Sequence, residues 1–151
     1  MKKNKRKQSG LIDVEEGYTI YAKEYQETEE YLDTFDRNAL MLYLKNLKGK
    51  KILDVGAGSG RIINILDQDE SKIVALDSSK EMLELLKKKY SKVETVLGDA
   101  EKLPFEDESF DVVVATFLIV HLKRLDKFFD EVHRILRPGG FKSAETSKIK
   151  E

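Results

Sequence analysis

Three glycines at alternate positions, Gly56, Gly58 and Gly60, follow an acid, Asp54, in the stretch "ILDVGAGSGR" (52–61). Glycine reaches positive φ and lets a ligand approach the backbone closely. A helix opening after such a turn presents free N–H groups. The combination suits a phosphate, a carboxylate or a nucleoside. It is not the dinucleotide fingerprint G-x-G-x-x-G, whose last position, counted from Gly56, falls on Arg61. A second acid, Asp77, stands 21 positions after Gly56. At the end of a strand it accepts from both hydroxyls of a ribose, or it is simply a helix cap or a surface charge. A third, Asp99 in "GDAEKLPFEDESFDVVVAT", accepts from an adenine amino group while a neighbouring N–H donates to the ring, or it is an ordinary loop acid. The turn and Asp77 together favour a ribose-bearing cofactor.

These residues need strands to place them at one rim. Residues 51–55 read as a strand and 59–66 as a short helix. Residues 72–76 form a second strand, and Ser78 with Glu81 fits a capping box for a helix that buries Met82, Leu85 and Leu86. A third strand spans 93–97, followed by a polar loop, 98–110, around Pro104. The apolar run 111–116 suits a strand covered on both faces. Leu125, Phe128, Phe129, Val132 and Leu136 then define an amphipathic helix, stopped by "RPGG" (137–140). Upstream, Leu32, Phe35, Ala39 and Leu42 predict a helix within 27–48, ended at Gly49. Alternating strands and helices give an α/β fold, a doubly wound and mainly parallel sheet. Ligands of such sheets bind beyond the carboxyl ends of the strands, where all three acids fall.

Composition sets outer limits. The chain has 151 residues, enough for one domain, and a net charge of -1, so no global field draws it to nucleic acid. Five basic residues and no acid fall within 1–10, which reads as a solvated, disordered tail. No apolar run reaches the ~20 residues of a membrane span. The absence of cysteine excludes disulfides, thiolate metal clusters and a cysteine nucleophile. It is compatible with a cytoplasmic setting.

From 50 to 140 the chain resembles the class I S-adenosylmethionine-dependent methyltransferases of the small-molecule type. The likeness rests on "ILDVGAGSGR", "VALDSS", "GDAEKLPFEDESFDVV" and "EVHRILRPGG", in that order. It implies a Rossmann-like fold and S-adenosyl-L-methionine as cofactor. It implies the methionine end of the cofactor near Asp54, Gly56, Ala57, Gly58 and Gly60, Asp77 with Ser78 on the ribose, and Asp99 with Ala100 on the adenine. Thr116 would face cofactor and substrate. Residues 11–48 would form a helical cover, whose Tyr18, Tyr21 and Tyr25 contact substrate or pack as lid aromatics, above a cofactor-binding core at 49–151. His121, in "FLIVHL", is a candidate base or substrate ligand, or a loop histidine that caps the next helix; His133 reads as structural. No Asn/Asp-Pro-Pro-aromatic motif follows "DVVVAT", so a small-molecule methyl acceptor is expected rather than nucleic acid.

The likeness weakens after 140. The pattern of the family continues into a fifth strand and a hairpin, while this chain reads "FKSAETSKIKE". Eleven residues cannot hold three ordinary strands. A sheet of about five strands is therefore expected, lacking the last strands of the seven-stranded family fold. The fifth would come from the polar stretch 141–146, leaving Val112, Val113 and Val114 near a thinly protected edge open to self-association. Two rival functions follow: a non-catalytic cofactor- or partner-binding fragment, and an NAD-dependent oxidoreductase, which the glycine spacing opposes.

Overall fold

The central strands form from short apolar runs whose successive side chains are buried on opposite faces of the sheet. In the computed structural model, which describes residues 43–44, 47–66, 68–116 and 118–145, five parallel strands make one sheet. They are β1 (Lys51–Val55), β2 (Lys72–Asp77), β3 (Glu94–Leu97), β4 (Phe110–Thr116) and β5 (Leu136–Glu145), in the order β3-β2-β1-β4-β5. Helix α1 (Lys80–Lys89) joins β2 to β3, and α2 (Leu125–Ile135) joins β4 to β5. Ile52, Ile73, Ala75, Val112 and Val114 face one way, with Leu86 of α1. Leu53, Val74, Leu76, Val113 and Ala115 face the other, with Phe128, Val132 and Ile135 of α2. Right-handed crossovers require this: β1–β2–β3 run outward with α1 on one face, and β4–β5 run the opposite way with α2 on the other. The switch lies between β1 and β4.

Several expected elements shift, each for a local reason. Residues 59–66 are a succession of turns rather than an α-helix. Gly58 and Gly60 hold φ of 54° and 95°, and the Gly60, Ile65 and Leu66 amides reach back three residues, to Ala57, Ile62 and Ile63, while that of Asn64 reaches back four, to Gly60. The cap of α1 is Ser79, not Ser78: the Ser79 hydroxyl accepts from the Met82 amide at 3.3 Å and pairs with Glu81. The buried set of α1 is accordingly Met82, Leu83 and Leu86, with Leu85 only half-buried. On α2, Leu125 and Phe129 are exposed, and the buried stripe is Phe128, Val132 and Ile135.

Helix α2 does stop before "RPGG", but those residues enter β5. Phe110 pairs with Leu136 and Val112 with Phe141, so two steps along β4 match five along β5. Residues 137–140 bulge out between these pairs. Gly140 sits in the return of that bulge, where a Cβ would come within 2.8 Å of the Arg137 carbonyl. Beyond it β5 pairs with β4 as far as Thr116. The expected fifth strand thus lies beside β4 and is the outer strand of the described sheet, while Val112, Val113 and Val114 of β4 are buried. The tail at 1–10 and nearly all of the cover at 11–48, with Tyr18, Tyr21 and Tyr25, lie outside the described residues.

Between β3 and β4 the chain crosses the α2 face of the sheet without a helix. Ala100 and Leu103 are buried there, and Phe105 packs edge-on to Phe110 at 4.9 Å. Side chains of α2 satisfy the backbone of this segment. Arg134 donates to the carbonyls of Leu103 and Phe105 and to Asp107, and Glu131 accepts from the Leu103 amide. Bonds to Arg134 hold the Glu131 carboxyl below its ordinary range.

The two phenylalanines of α2 separate core from surface. Phe128→Ala should cost about 3–5 kcal/mol, as for a buried ring removed from a packed core. Phe129→Ala should cost under about 1 kcal/mol. Urea denaturation midpoints measure both, and equal losses would contradict the assignment of faces.

Candidate cofactor site

The carboxyl ends of β1, β2, β3 and β4 bring the expected site residues to one rim. Asp54 is the fourth residue of β1 and is 1% exposed. After Val55 the chain turns through Gly56 (φ 73°), Ala57 and Gly58. This turn is tied to the end of β2. The amides of Gly56 and Ala57 donate to the Leu76 carbonyl at 2.8 and 3.0 Å. The Gly58 amide donates to Asp77 Oδ2 at 2.8 Å, and Asp77 Oδ1 accepts from the Ser79 amide at 2.9 Å.

The three glycines meet different constraints. A Cβ on Gly60 would fall 2.8 Å from the Tyr90 ring, so this glycine serves packing. A Cβ on Gly56 would meet Leu118 at 3.1 Å, in the segment that follows β4. A Cβ on Gly58 would meet nothing within 4 Å. Only its positive φ constrains Gly58 from inside the protein, and the space beside it is open.

The electrostatics of the rim are unusual for a carboxylate pair. Neither oxygen of Asp54 has a hydrogen-bond partner among the described residues. Burial raises its pKa from 3.8 to about 7; the negative charge of Asp77 adds to the rise, and Arg61 opposes it. Burial also raises Asp77, partly offset by the amides of Ser79, Gly58 and Ser78. Asp77 Oδ2 accepts from the Gly58 amide and Oδ1 from the Ser79 amide, and a carboxylate with these bonds keeps acceptor capacity for more. A buried carboxylate without a partner is costly, and a cationic group resolves that cost.

The remaining expected residues fall at the same end of the sheet. Ser78 is exposed between Asp77 and the cap of α1. Asp99 is exposed, with Oδ1 accepting from the Glu101 amide at 2.8 Å, while Ala100 is buried. Thr116 closes β4 and is 8% exposed. His121 is exposed in a 3-10 turn (Ile119–His121) after β4. His133 is on the exposed side of α2. Sequence reasoning gave no role to Arg61, to Leu118 or to Glu101. Arg61 stood in the quoted glycine motif, and its charge so close to Asp54 was the available signal. No group of three His, Asp or Glu residues among the described residues is placed to hold a metal. No described helix is long and apolar enough to cross a membrane.

Comparison with known proteins adds an independent line. A family model described as "Methyltransferase domain" matches residues 53–143. A demethylmenaquinone methyltransferase of Chlorobaculum tepidum is 41% identical over 100 residues, covering 64% of this chain and 41% of that protein. The mitochondrial 2-methoxy-6-polyprenyl-1,4-benzoquinol methylase of Homo sapiens is 40% identical over 86 residues, covering 52% of this chain and 26% of that protein. This chain thus spans less than half the length of either relative. In fold it is similar to Haemonchus contortus phosphoethanolamine N-methyltransferase 1, solved with phosphoethanolamine and S-adenosylhomocysteine. The TM-score is 0.77 at 22% identity, over 89% of this chain and 31% of that one.

The buried acid has a measurable signature in the ligand-free chain. Asp54 holds its proton to about pH 7 when folded, against 3.8 ordinarily. Its contribution to stability is full below pH 3.8 and is lost as pH rises through about 7. Thermal denaturation of the wild type and Asp54→Asn between pH 4 and 8 should show the variant gaining on the wild type as pH rises, by on the order of 2–4 kcal/mol. Parallel curves would refute the burial of an ionising Asp54.

Proposed function

Because the chain belongs to the class I S-adenosylmethionine-dependent methyltransferase family, we propose that it binds S-adenosyl-L-methionine and directs methyl transfer to a small-molecule acceptor. The observation that carries this reading is the partnerless buried carboxylate of Asp54, set beneath an open glycine turn that is bonded to Asp77. An unpartnered acid calls for a cation, and an open turn at positive φ calls for a ligand lying against the backbone. When bound, the cofactor supplies an electrophilic methyl group on a sulfonium.

The residues divide the cofactor between them. Asp54 takes the positive charge of the methionine end, with the Gly56–Gly58 turn against it. Asp77, with its spare acceptor capacity, takes the ribose hydroxyls, and Ser78 lies beside it. Asp99 accepts from the adenine amino group, and the Ala100 amide donates to the ring. Transfer from a sulfonium is an in-line displacement, so holding donor and acceptor in register supplies much of the rate. A base is needed only for an acceptor that must lose a proton. His121 and Thr116, at the end of β4, are the described residues we assign to the acceptor side. Tyr18, Tyr21 and Tyr25 remain assigned to the cover above it.

A phenolic or quinol acceptor is supported by the two quinone-methylating relatives; an amine acceptor is the other small-molecule class. The net charge of -1 gives no field for nucleic acid. A cytoplasmic setting fits the cysteine-free chain. Self-association belongs to the outer edge of β5, which has a single neighbour in the described sheet.

Calorimetric titration with S-adenosylhomocysteine and with NAD tests the cofactor directly. The first should bind and the second should not; the reverse would install the oxidoreductase reading. Asp77→Ala should weaken S-adenosylhomocysteine by about 1–3 kcal/mol. Gly58→Ala should weaken it about tenfold or more while the chain loses only about 1–2 kcal/mol of stability, the cost of a left-handed alanine. Gly60→Ala should instead damage the fold through Tyr90. Normal binding by a folded Gly58→Ala chain would remove the turn from the site.

A further inference from the structure

We propose that Glu101 is a positioning residue that couples the cofactor loop after β3 to the acceptor-side segment after β4. This rests on the cofactor assignment above. Glu101 follows Ala100 directly, and its own amide donates to Asp99 Oδ1 at 2.8 Å. Its side chain reaches across the sheet end. Glu101 Oε1 accepts from the amides of Lys123 and Arg124 at 2.7 and 2.8 Å, 22 and 23 positions along the chain.

The two amides immediately precede α2, whose N-cap residue Arg124 makes no capping bond with its own side chain. Glu101 therefore caps this helix from another loop, with its negative charge against the helix N-terminus. The segment just before those amides is short and closed on itself. The His121 amide donates to the Leu118 carbonyl, and the Leu122 amide to that of Ile119. At its start Leu118 packs against Gly56. A continuous path thus runs from Asp99 through Glu101 to Lys123 and Arg124, back along the turn bearing His121, and through Leu118 to the glycine turn. Both ends of the path are residues assigned to the cofactor, and its middle carries His121, which is assigned to the acceptor side. A ligand that steadies Asp99 and the glycine turn thereby steadies the segment between them.

A purely structural cap would stabilise α2 but leave the ligand response unchanged, and this separates the alternatives. Amide hydrogen exchange is followed on the full chain with and without S-adenosylhomocysteine, for the wild type, Glu101→Ala and Glu101→Gln. In the wild type the ligand should slow exchange across 118–124. In ligand-free Glu101→Ala the Lys123 and Arg124 amides should exchange about tenfold faster, the effect of losing a pair of hydrogen bonds. The ligand should still bind this variant yet no longer slow 118–124. Glutamine keeps an oxygen acceptor, so Glu101→Gln should restore most of the response. A full ligand response in Glu101→Ala, or none in Glu101→Gln, overturns the coupling. So does a wild-type chain that binds the ligand without slowing 118–124, whether or not the alanine variant folds. A wild type that does not bind S-adenosylhomocysteine overturns the cofactor reading itself, and the coupling with it.

Discussion

Three consecutive amides latch the end of β1 onto the end of β2: Gly56 and Ala57 to the Leu76 carbonyl, and Gly58 to the Asp77 carboxylate. The latch fixes how far the chain can travel before it turns, and so fixes the site. It requires β1 and β2 to be neighbours in register, which the pairing of Val55 with Leu76 supplies. It requires backbone at positive φ, which Gly56 and Gly58 supply. It brings the second acid to the turn that follows the first. Loosening the sheet on either side would separate Asp54 from Asp77, and with them the charge pattern that the rim presents.

That charge pattern is maintained against the stability of the protein. Two carboxyls share one rim, and burial raises the pKa of both. Elsewhere acids sit where partners depress them, as with Glu131 against Arg134 and Asp111 against the Lys51 amide. The contrast is a physical reason to place function at the rim. Acids that merely stabilise a fold are paired within it, whereas Asp54 lacks a hydrogen-bond partner among the described residues. Sites of this kind trade stability for a ligand's binding energy.

The strands were the most legible part of the sequence, because burial on both faces leaves runs such as "DVVVAT" with little room for any other reading. The glycine turn, Asp77 and Asp99 were legible as a set, since a parallel sheet must carry its ligands where those residues fall. What was missed depends on geometry rather than pattern. Positive φ at Gly60 stands at the start of the stretch 59–66, which was expected as a short helix and is a run of turns. Ser78 and Ser79 are adjacent cap candidates, and only the path out of β2 selects the second. Leu125 and Phe129 carry the helical period as well as Phe128 and Val132 do, but a period does not reveal which side meets the sheet. The polar stretch after "RPGG" was legible as the fifth strand, but the bulge at 137–140, which lets β5 start at Leu136, was not. Glu101 was invisible because its partners are backbone amides, which carry no mark in the sequence.

The passage from β3 to β4, unlike the crossovers through α1 and α2, has no helix of its own among the described residues. A helix satisfies its backbone internally and can persist when its neighbours loosen. This segment relies on Arg134 and Glu131 for that purpose, and both belong to α2. The two stretches therefore form a single unit of local opening. When the last turns of α2 fray, the polar backbone over the apolar face loses its partners together, and water enters there first. The Asp99 end of the rim accordingly inherits part of its rigidity from the last turns of α2.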